Sequence, residues 1–287
     1  MARGASIDPR RGIVISTVAA ACSACSGFDG AGDRLPETSS SAQQVSEGGF
    51  ASNPSVSTAA ADLSCLNDPP ASSPNVPATE MVSYSLPVRS LFGAPLENLV
   101  ARVCLPADPM CSTPISIVKG LTPNGLLVIQ VPAGFNGFLE VLADGHVPVV
   151  FYMRRPVVRD TVDELPLSPI PTAGVPQIAA LFNAEVLPEL GLIAALVVDC
   201  RWNSVAGATI SNNLGGRTFY FANGLPSGAA LATDSDGIGG FINVPIRPME
   251  LSGQLAADGR VIGTRTIVPR PGWLMAVLLR PASLPVD

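Results

Sequence analysis

The chain is poor in the side chains that usually carry chemistry. It has one histidine, His146, and one lysine, Lys119, in 287 residues, and aromatic residues make up only 5% of it. A hydrolytic site built on Ser or Cys needs a base beside its nucleophile, so one histidine leaves a single opportunity. That histidine lies in Asp144-Gly145-His146, a hairpin-turn signal that predicts an exposed turn residue. No G-x-S-x-G elbow, H-E-x-x-H pair or glycine-rich phosphate loop is present. Charge is scarce as well, at 14% of residues with a net charge of −6. Arg3, Arg10 and Arg11 against Asp8 give residues 1–21 a charge of +2, which leaves −8 for the remainder. Such a surface repels a phosphate backbone, which excludes nucleic acid as a partner. No catalytic residue, metal or cofactor is expected.

What is abundant points to strands and turns. Hydrophobic residues reach 47%, enough for packed cores, and 287 residues allow roughly two domains with accessory segments. The 28 prolines and 27 glycines follow no collagen period and favour many turns between short strands. The expected fold class is all-β.

Arg10-Arg11 precedes the apolar run Gly12 to Ala21, after which comes Cys22. Basic residues, a short apolar run and small residues at the end are the parts of a secretory signal, and ten residues are too few to span a bilayer core of about 30 Å. Residues 1–21 are therefore read as a signal peptide. Ala19-Ala20-Ala21-Cys22 resembles a bacterial lipobox, with Ala where Leu is usual, and that resemblance implies lipidation of Cys22 and a membrane partner through the lipid. An ordinary cleaved signal with an incidental cysteine is the competing reading, and Arg10-Arg11 is also similar to a twin-arginine signal. From Ser26 to about Val76 the chain is rich in Ser, Ala, Gly, Asn and Pro with no apolar period, so residues 22–78 are expected to form a disordered tether.

Four further cysteines suit an oxidising destination. Cys104 and Cys111 bracket a loop that two prolines keep tight, which predicts a local disulfide. Cys65 is then free or bonded to Cys200. Zinc is the rival reading, and it lacks closely paired Cys or His ligands here.

The second half of the chain repeats the first. Pro95 to Val100 is echoed by Ser204 to Thr209, Thr122-Pro123-Asn124-Gly125 by Asp234-Ser235-Asp236-Gly237, Ala143-Asp144-Gly145 by Ala257-Asp258-Gly259, and Arg155-Pro156 by Arg280-Pro281. An offset drifting from 109 to 114 residues over the first and third pairs marks two copies of one domain, not a solenoid. The copies are placed at 79–157 and 190–287. Strands are expected at 82–89, 98–104, 115–119, 126–131, 138–143 and 147–153, then at 191–198, 217–221, 228–232, 240–244, 249–256, 260–268 and 273–279. In the linker 158–189, Ile178, Leu181, Phe182 and Glu185 fall at helical spacing, which predicts one short helix packed on a sandwich.

Val197-Val198-Asp199-Cys200, Val205 to Ile210, Thr233 to Gly237, Phe241 to Pro245 and Pro271-Gly272 together resemble the carboxypeptidase regulatory-like domain. That family has a transthyretin-like (prealbumin-like), Ig-like β-sandwich and is similar to the B repeats of bacterial surface adhesins. The resemblance implies two tandem sandwiches and a non-catalytic structural, adhesive or ligand-binding role, and the signal with its lipobox adds a location in the cell envelope, outer membrane or periplasm, or secretion. Some adhesin repeats carry isopeptide bonds, which Lys119 has no obvious Glu to form. Asp234-Ser235-Asp236-Gly237 resembles part of a calcium loop but lacks the further ligands, so a turn is expected. A glycan-binding module is the alternative function, with Trp202 and Tyr220 as candidate sugar platforms and Trp273 assigned to the core. An unrecognised hydrolase is third.

Overall fold

The computed structural model describes residues 60–71 and 80–284. Expected features at residues 1–59, including the signal and Cys22, lie outside the described residues. Among the described residues the fold is all-β apart from one α-helix and two 3₁₀ turns. The first copy supplies β1 (Met81–Pro87), β2 (Val100–Cys104), β3 (Ser116–Lys119), β4 (Leu126–Pro132), β5 (Phe138–Leu142), β6 (Val149–Tyr152) and β7 (Thr161–Val162). The helix α1 (Val175–Leu181) follows. The second copy supplies β8 (Gly191–Val197), β9 (Ala208–Asn212), β10 (Arg217–Ala222), β11 (Leu225–Ser227), β12 (Ile238–Val244), β13 (Met249–Leu255), β14 (Val261–Ile267) and β15 (Leu274–Leu279).

Alternation dictates which face each strand buries. Val82, Tyr84 and Leu86 of β1 are buried, as are Leu127, Ile129 and Val131 of β4, and the two strands pair antiparallel so that these residues line one core. The second copy repeats the scheme with Ile193, Ala195 and Val197 of β8.

The pairing pattern displays the repeat. In the first copy one sheet runs β4-β1-β7, antiparallel then parallel, and its counterpart in the second is β12-β8-β15 with the same senses. The opposing layer is β2-β5-β6 in the first copy and β9-β13-β14 in the second, all antiparallel. Turns agree too. Asn98 and Gly207, Gly125 and Gly237, and Gly145 and Gly259 all take a left-handed backbone, which the missing Cβ of glycine and the short side chain of asparagine tolerate. The copies differ in their additions, since β3 extends the β2 layer of the first and the β10–β11 hairpin extends the β12 layer of the second.

The two sandwiches share a sheet. β6 of the first copy pairs in parallel with β15 of the second, at Leu274↔Val149 through Ala276↔Phe151, giving a continuous nine-stranded sheet β11-β10-β12-β8-β15-β6-β5-β2-β3. Cys104, Cys111, Phe138 and Val150 of the first copy belong to the same apolar cluster as Ile193, Phe241 and Met275 of the second.

Five expectations are corrected. The first copy does not stop at 157, because β7 completes its smaller sheet by pairing with β1, and two residues are too short for a periodicity signal. By pairing, β7 matches β15, so Arg155-Pro156 corresponds to Arg270-Pro271; the echo at Arg280-Pro281 falls one strand too late. Residues 228–232 are not a strand, since Ser227 ends β11 and its Oγ accepts from the N–H groups of Ala229 and Ala230. The helix packs on the sandwich as expected, through Val175, Ile178 and the capping residue Phe182, 5.0 Å from Phe219, but it ends at Leu181 short of Glu185, because Asn183 turns left-handed. Finally, residues 60–71 are not free tether. They dock on the second copy through the 3₁₀ turn Ser64–Asn67, the Cys65–Cys200 disulfide, an Asp62–Arg201 ion pair of 2.7 Å and a hydrogen bond from Ala71 N–H to the Ala282 carbonyl.

Candidate functional site

The densest chemistry lies where the two copies join. β5 is buried on both faces: Leu139 and Val141 face the first core, and Phe138 and Glu140 face the loop between Cys104 and Cys111. Glu140 is 0% exposed. Burying a carboxylate is costly unless it is paired and hydrogen-bonded. Here Arg102 Nη1 of β2 donates to Oε2 at 2.7 Å, and Arg270 Nη1 of the second copy donates to Oε1. Each arginine also ties the disulfide loop, Arg102 through the Cys111 carbonyl and Arg270 through the Pro109 carbonyl at 2.6 Å. The Arg270 guanidinium stacks over Trp273 at 5.0 Å and Phe138 at 5.7 Å, while its Nε–H has no partner. The Cys104–Cys111 disulfide holds that loop in place. Asp108 closes it further: the N–H of Thr113 above all, with that of Ser112, holds its carboxyl below the usual range.

This cluster is a joint. Cys104, Cys111 and Glu140 lie close enough together to resemble a metal site, yet the two sulfurs are bonded to each other and both carboxylate oxygens are taken by arginine. No ligand set for zinc remains in this cluster. Neither Glu140 nor Arg270 is among the residues singled out from the sequence. The available signal is a lone acid inside the apolar strand Phe-Leu-Glu-Val-Leu, and strand alternation explains it equally well as a solvent-facing residue.

The residues that were singled out are scattered. Cys65 is bonded to Cys200, 135 positions further along the chain, and the bridge sits among the contacts that dock residues 60–71 on the second copy. Tyr220 is 5% exposed, with its hydroxyl accepting from Ile210 N–H at 3.0 Å, so it presents no ring to a sugar. Trp202 is half-buried, and its ring is covered by the guanidinium groups of Arg155 and Arg280, each 5.6 Å from the centroid. Trp273 packs under Arg270. Asp234 and Asp236 form a turn closed by the Asp236 N–H to Asp234 Oδ1 bond, and burial, then the charge of Asp234, push the Asp236 carboxyl up. Lys119 stands exposed on the outermost strand β3.

His146 is a further correction: it is buried, not an exposed turn residue. Its Nδ1 lies 2.8 Å from the Asp144 carbonyl, which can only accept, so Nδ1 carries the proton and Nε2 accepts from Ser90 Oγ at 3.0 Å. The turn is covered because the Val147 N–H donates to the Ile170 carbonyl and the Thr172 N–H to the Gly145 carbonyl, which lays residues 170–172 beside it. A serine hydrogen-bonded to an imidazole is the beginning of a nucleophile–base pair, yet neither of the two clefts found at the junction of the copies reaches it.

No family model matches the chain, and no curated protein matches it. Among solved structures the chain is similar to the Bacillus anthracis TIE protein, at 10% identity and a TM-score of 0.23 over 70% of this chain and 34% of that one. It is also similar to a streptococcal ancillary pilin, at 12% identity and a TM-score of 0.22 over 71% of this chain and 64% of that one. A double mutant of the shaft pilin SpaA from Lactobacillus rhamnosus GG aligns at 10% identity and a TM-score of 0.22, over 70% and 97% of the respective chains. The chain thus spans about a third of the first of these proteins and under two thirds of the second. Likeness at this level carries no argument about role.

Proposed function

We propose that this chain is an exported cell-envelope protein, anchored through a lipid on Cys22, in which two tandem carboxypeptidase regulatory-like sandwiches form a rigid, non-catalytic module for architecture or for binding a protein or glycan partner. The observation that carries the reading is the pair of disulfides. Disulfides persist in oxidising compartments, and here each does structural work: one closes the loop that clamps the two copies, the other fastens residues 60–71 to the second copy. A joint made of a shared sheet and a buried ion triad suits a spacer, because it leaves no hinge between the copies. The sugar-platform alternative is weakened by the burial of Tyr220 and the covered ring of Trp202.

The test is fractionation of cells expressing the full chain, with lipid labelling and non-reducing peptide mapping. The proposal expects membrane-associated, lipid-labelled protein with both bridges formed, and release of a Cys22→Ser variant from the membrane. Unchanged membrane association in that variant overturns the anchor, and free thiols at Cys65, Cys104, Cys111 and Cys200 overturn export.

A further inference from the structure

Arginines gather in one cleft without acids to match them. An open cleft of about 430 Å³ lies between the copies, walled on one side by Val261 to Arg265 of β14 and on the others by Asn136 and Arg154 of the first copy, Arg280 after β15, and Leu66 of the docked N-terminal segment. Of its three arginines, only Arg154 has a carboxylate, that of Asp163. Arg265 donates to the Met153 carbonyl at 3.0 Å and lies over the Tyr152 ring at 5.1 Å. Arg280 donates to the carbonyls of Pro281 and Leu284 and lies over Trp202, whose ring it shares with Arg155. Among the described residues no carboxylate pairs with Arg155, Arg265 or Arg280. Asp199, three residues before Trp202, spends its oxygens on the N–H groups of Asp62, Arg201 and Asn203.

Electrostatics make this arrangement costly as it stands. Arg265 is pulled down to about 10, by burial first, with the charge of Arg280 adding to it. Burial and then Arg155 lower Arg280 as well. Carbonyl oxygens and aromatic faces offset part of that cost, but neither cancels charge. In a chain with net charge −6, two unpaired cations in the wall of one cleft, Arg265 and Arg280, with Arg155 beside Arg280 over the Trp202 ring, form a local positive field that attracts and holds a small anion.

We infer that this cleft is a binding site for an oxyanion, a carboxylate, phosphate or sulfate group on a small ligand, held by the forked donors of Arg265 and Arg280. The planar guanidinium matches such groups bidentately. The volume lies at the small end of ligand sites, sized for one charged unit and not for a polymer. The site stands on the chain's own geometry and holds whether or not the protein is lipid-anchored.

The experiment is calorimetric titration of the full, disulfide-intact chain at pH 7 in low-chloride buffer, with inorganic phosphate in one arm and galacturonate in the other. Saturable binding in either arm is expected, and the stronger arm identifies a tetrahedral oxyanion or a carboxylate as the natural group. Arg265→Gln and Arg280→Gln should each weaken binding roughly tenfold or more, the worth of a charge-assisted bond. Lys119→Gln, on an exposed strand away from the cleft, should leave it unchanged. Far-UV circular dichroism checks that each variant folds, and two independent arginine variants keep the test decisive should one of them unfold. No saturable binding in either arm, or equal losses in the arginine variants and in Lys119→Gln, overturns the site.

Discussion

Glu140→Gln is the most direct test of the joint. The substitution keeps the shape of the side chain and removes its charge, leaving Arg102 and Arg270 without their shared counter-ion. Breaking a buried ion pair by removing one partner costs about 3–5 kcal/mol, mainly because the remaining charge stays buried. The two arginines do not contribute equally. Arg102 is 32% exposed, so water screens it and its share is small, whereas Arg270 is 6% exposed and has only a carbonyl and two aromatic rings left. The expected loss is therefore about 3 kcal/mol, at the lower end of the range. For a folded region of this size that corresponds to roughly 6–12 °C in Tm.

Urea unfolding followed by circular dichroism, with disulfides intact, measures the loss, and a shift of midpoint at constant slope assigns it to stability. Because the copies share a sheet and a core cluster, the parent chain should unfold in one transition. Arg270→Met in the Glu140→Gln background should cost much less than in the parent, since the two residues act as a unit. A Glu140→Gln loss below about 1 kcal/mol, or additive effects in that cycle, would refute the reasoning, because an exposed pair gives no more than that.

Three other outcomes follow from the same geometry. Replacing Cys104 and Cys111 by serine should cost about 2–3 kcal/mol through loop closure, and replacing Cys65 and Cys200 about 5 kcal/mol in the chain-entropy model, with early proteolysis near residues 60–71 as the readout for the second pair. Gly240→Ala should lose about 3 kcal/mol or more, because a Cβ there meets the Ile193 carbonyl oxygen at 1.9 Å across the β8–β12 ladder; thermal unfolding beside Gly207→Ala, whose Cβ meets nothing, separates collision from backbone strain. Burial, then the Asp163 carboxylate, raise the Tyr84 phenol well above 10, so the folded chain holds that proton more tightly than the unfolded chain: its contribution is intact below pH 10 and is lost as pH rises above it. Tyr84→Phe should flatten that loss in urea midpoints measured from pH 8 to 11. Arg265 works in the opposite sense above pH 10, so the difference between parent and variant is the quantity to read.

The fold was legible where a pattern repeats and obscure where one strand depends on another copy. Period-two burial and turn glycines placed most strands to within a residue or two, and the Asp-Gly and Asn-Gly turns at Gly125, Gly145, Gly237 and Gly259 marked equivalent corners. β7 escaped because two residues carry no period; its place is fixed by hydrogen bonds to β1. The helix overran because helical spacing continues through Glu185 while Asn183 breaks the backbone. His146 and Tyr220 were misjudged as exposed since turn chemistry and aromatic polarity say nothing about what packs over them. Of the joint, the disulfide loop was visible in the cysteine spacing, but the convergence of Arg102, Glu140 and Arg270 was not, as the last pair lies 130 residues apart.

Duplication of a sandwich doubles its sheet edges, and each open edge is a template for unwanted pairing. The chain resolves one pair of edges by using them against each other, since β15 caps β6. The repeat then leaves two equivalent edges unused, β7 in the first copy and β14 in the second. The first is blunted by its length of two residues and by the acids Asp160, Asp163 and Glu164 beside it. A longer strand such as β14 cannot be blunted that way, and it is the one that carries Arg265 and faces the arginine-lined cleft across from Arg154 and Arg280. Cations that keep a neighbouring strand from pairing there also concentrate the positive field that draws an oxyanion in, so edge protection and ligand capture draw on the same side chains.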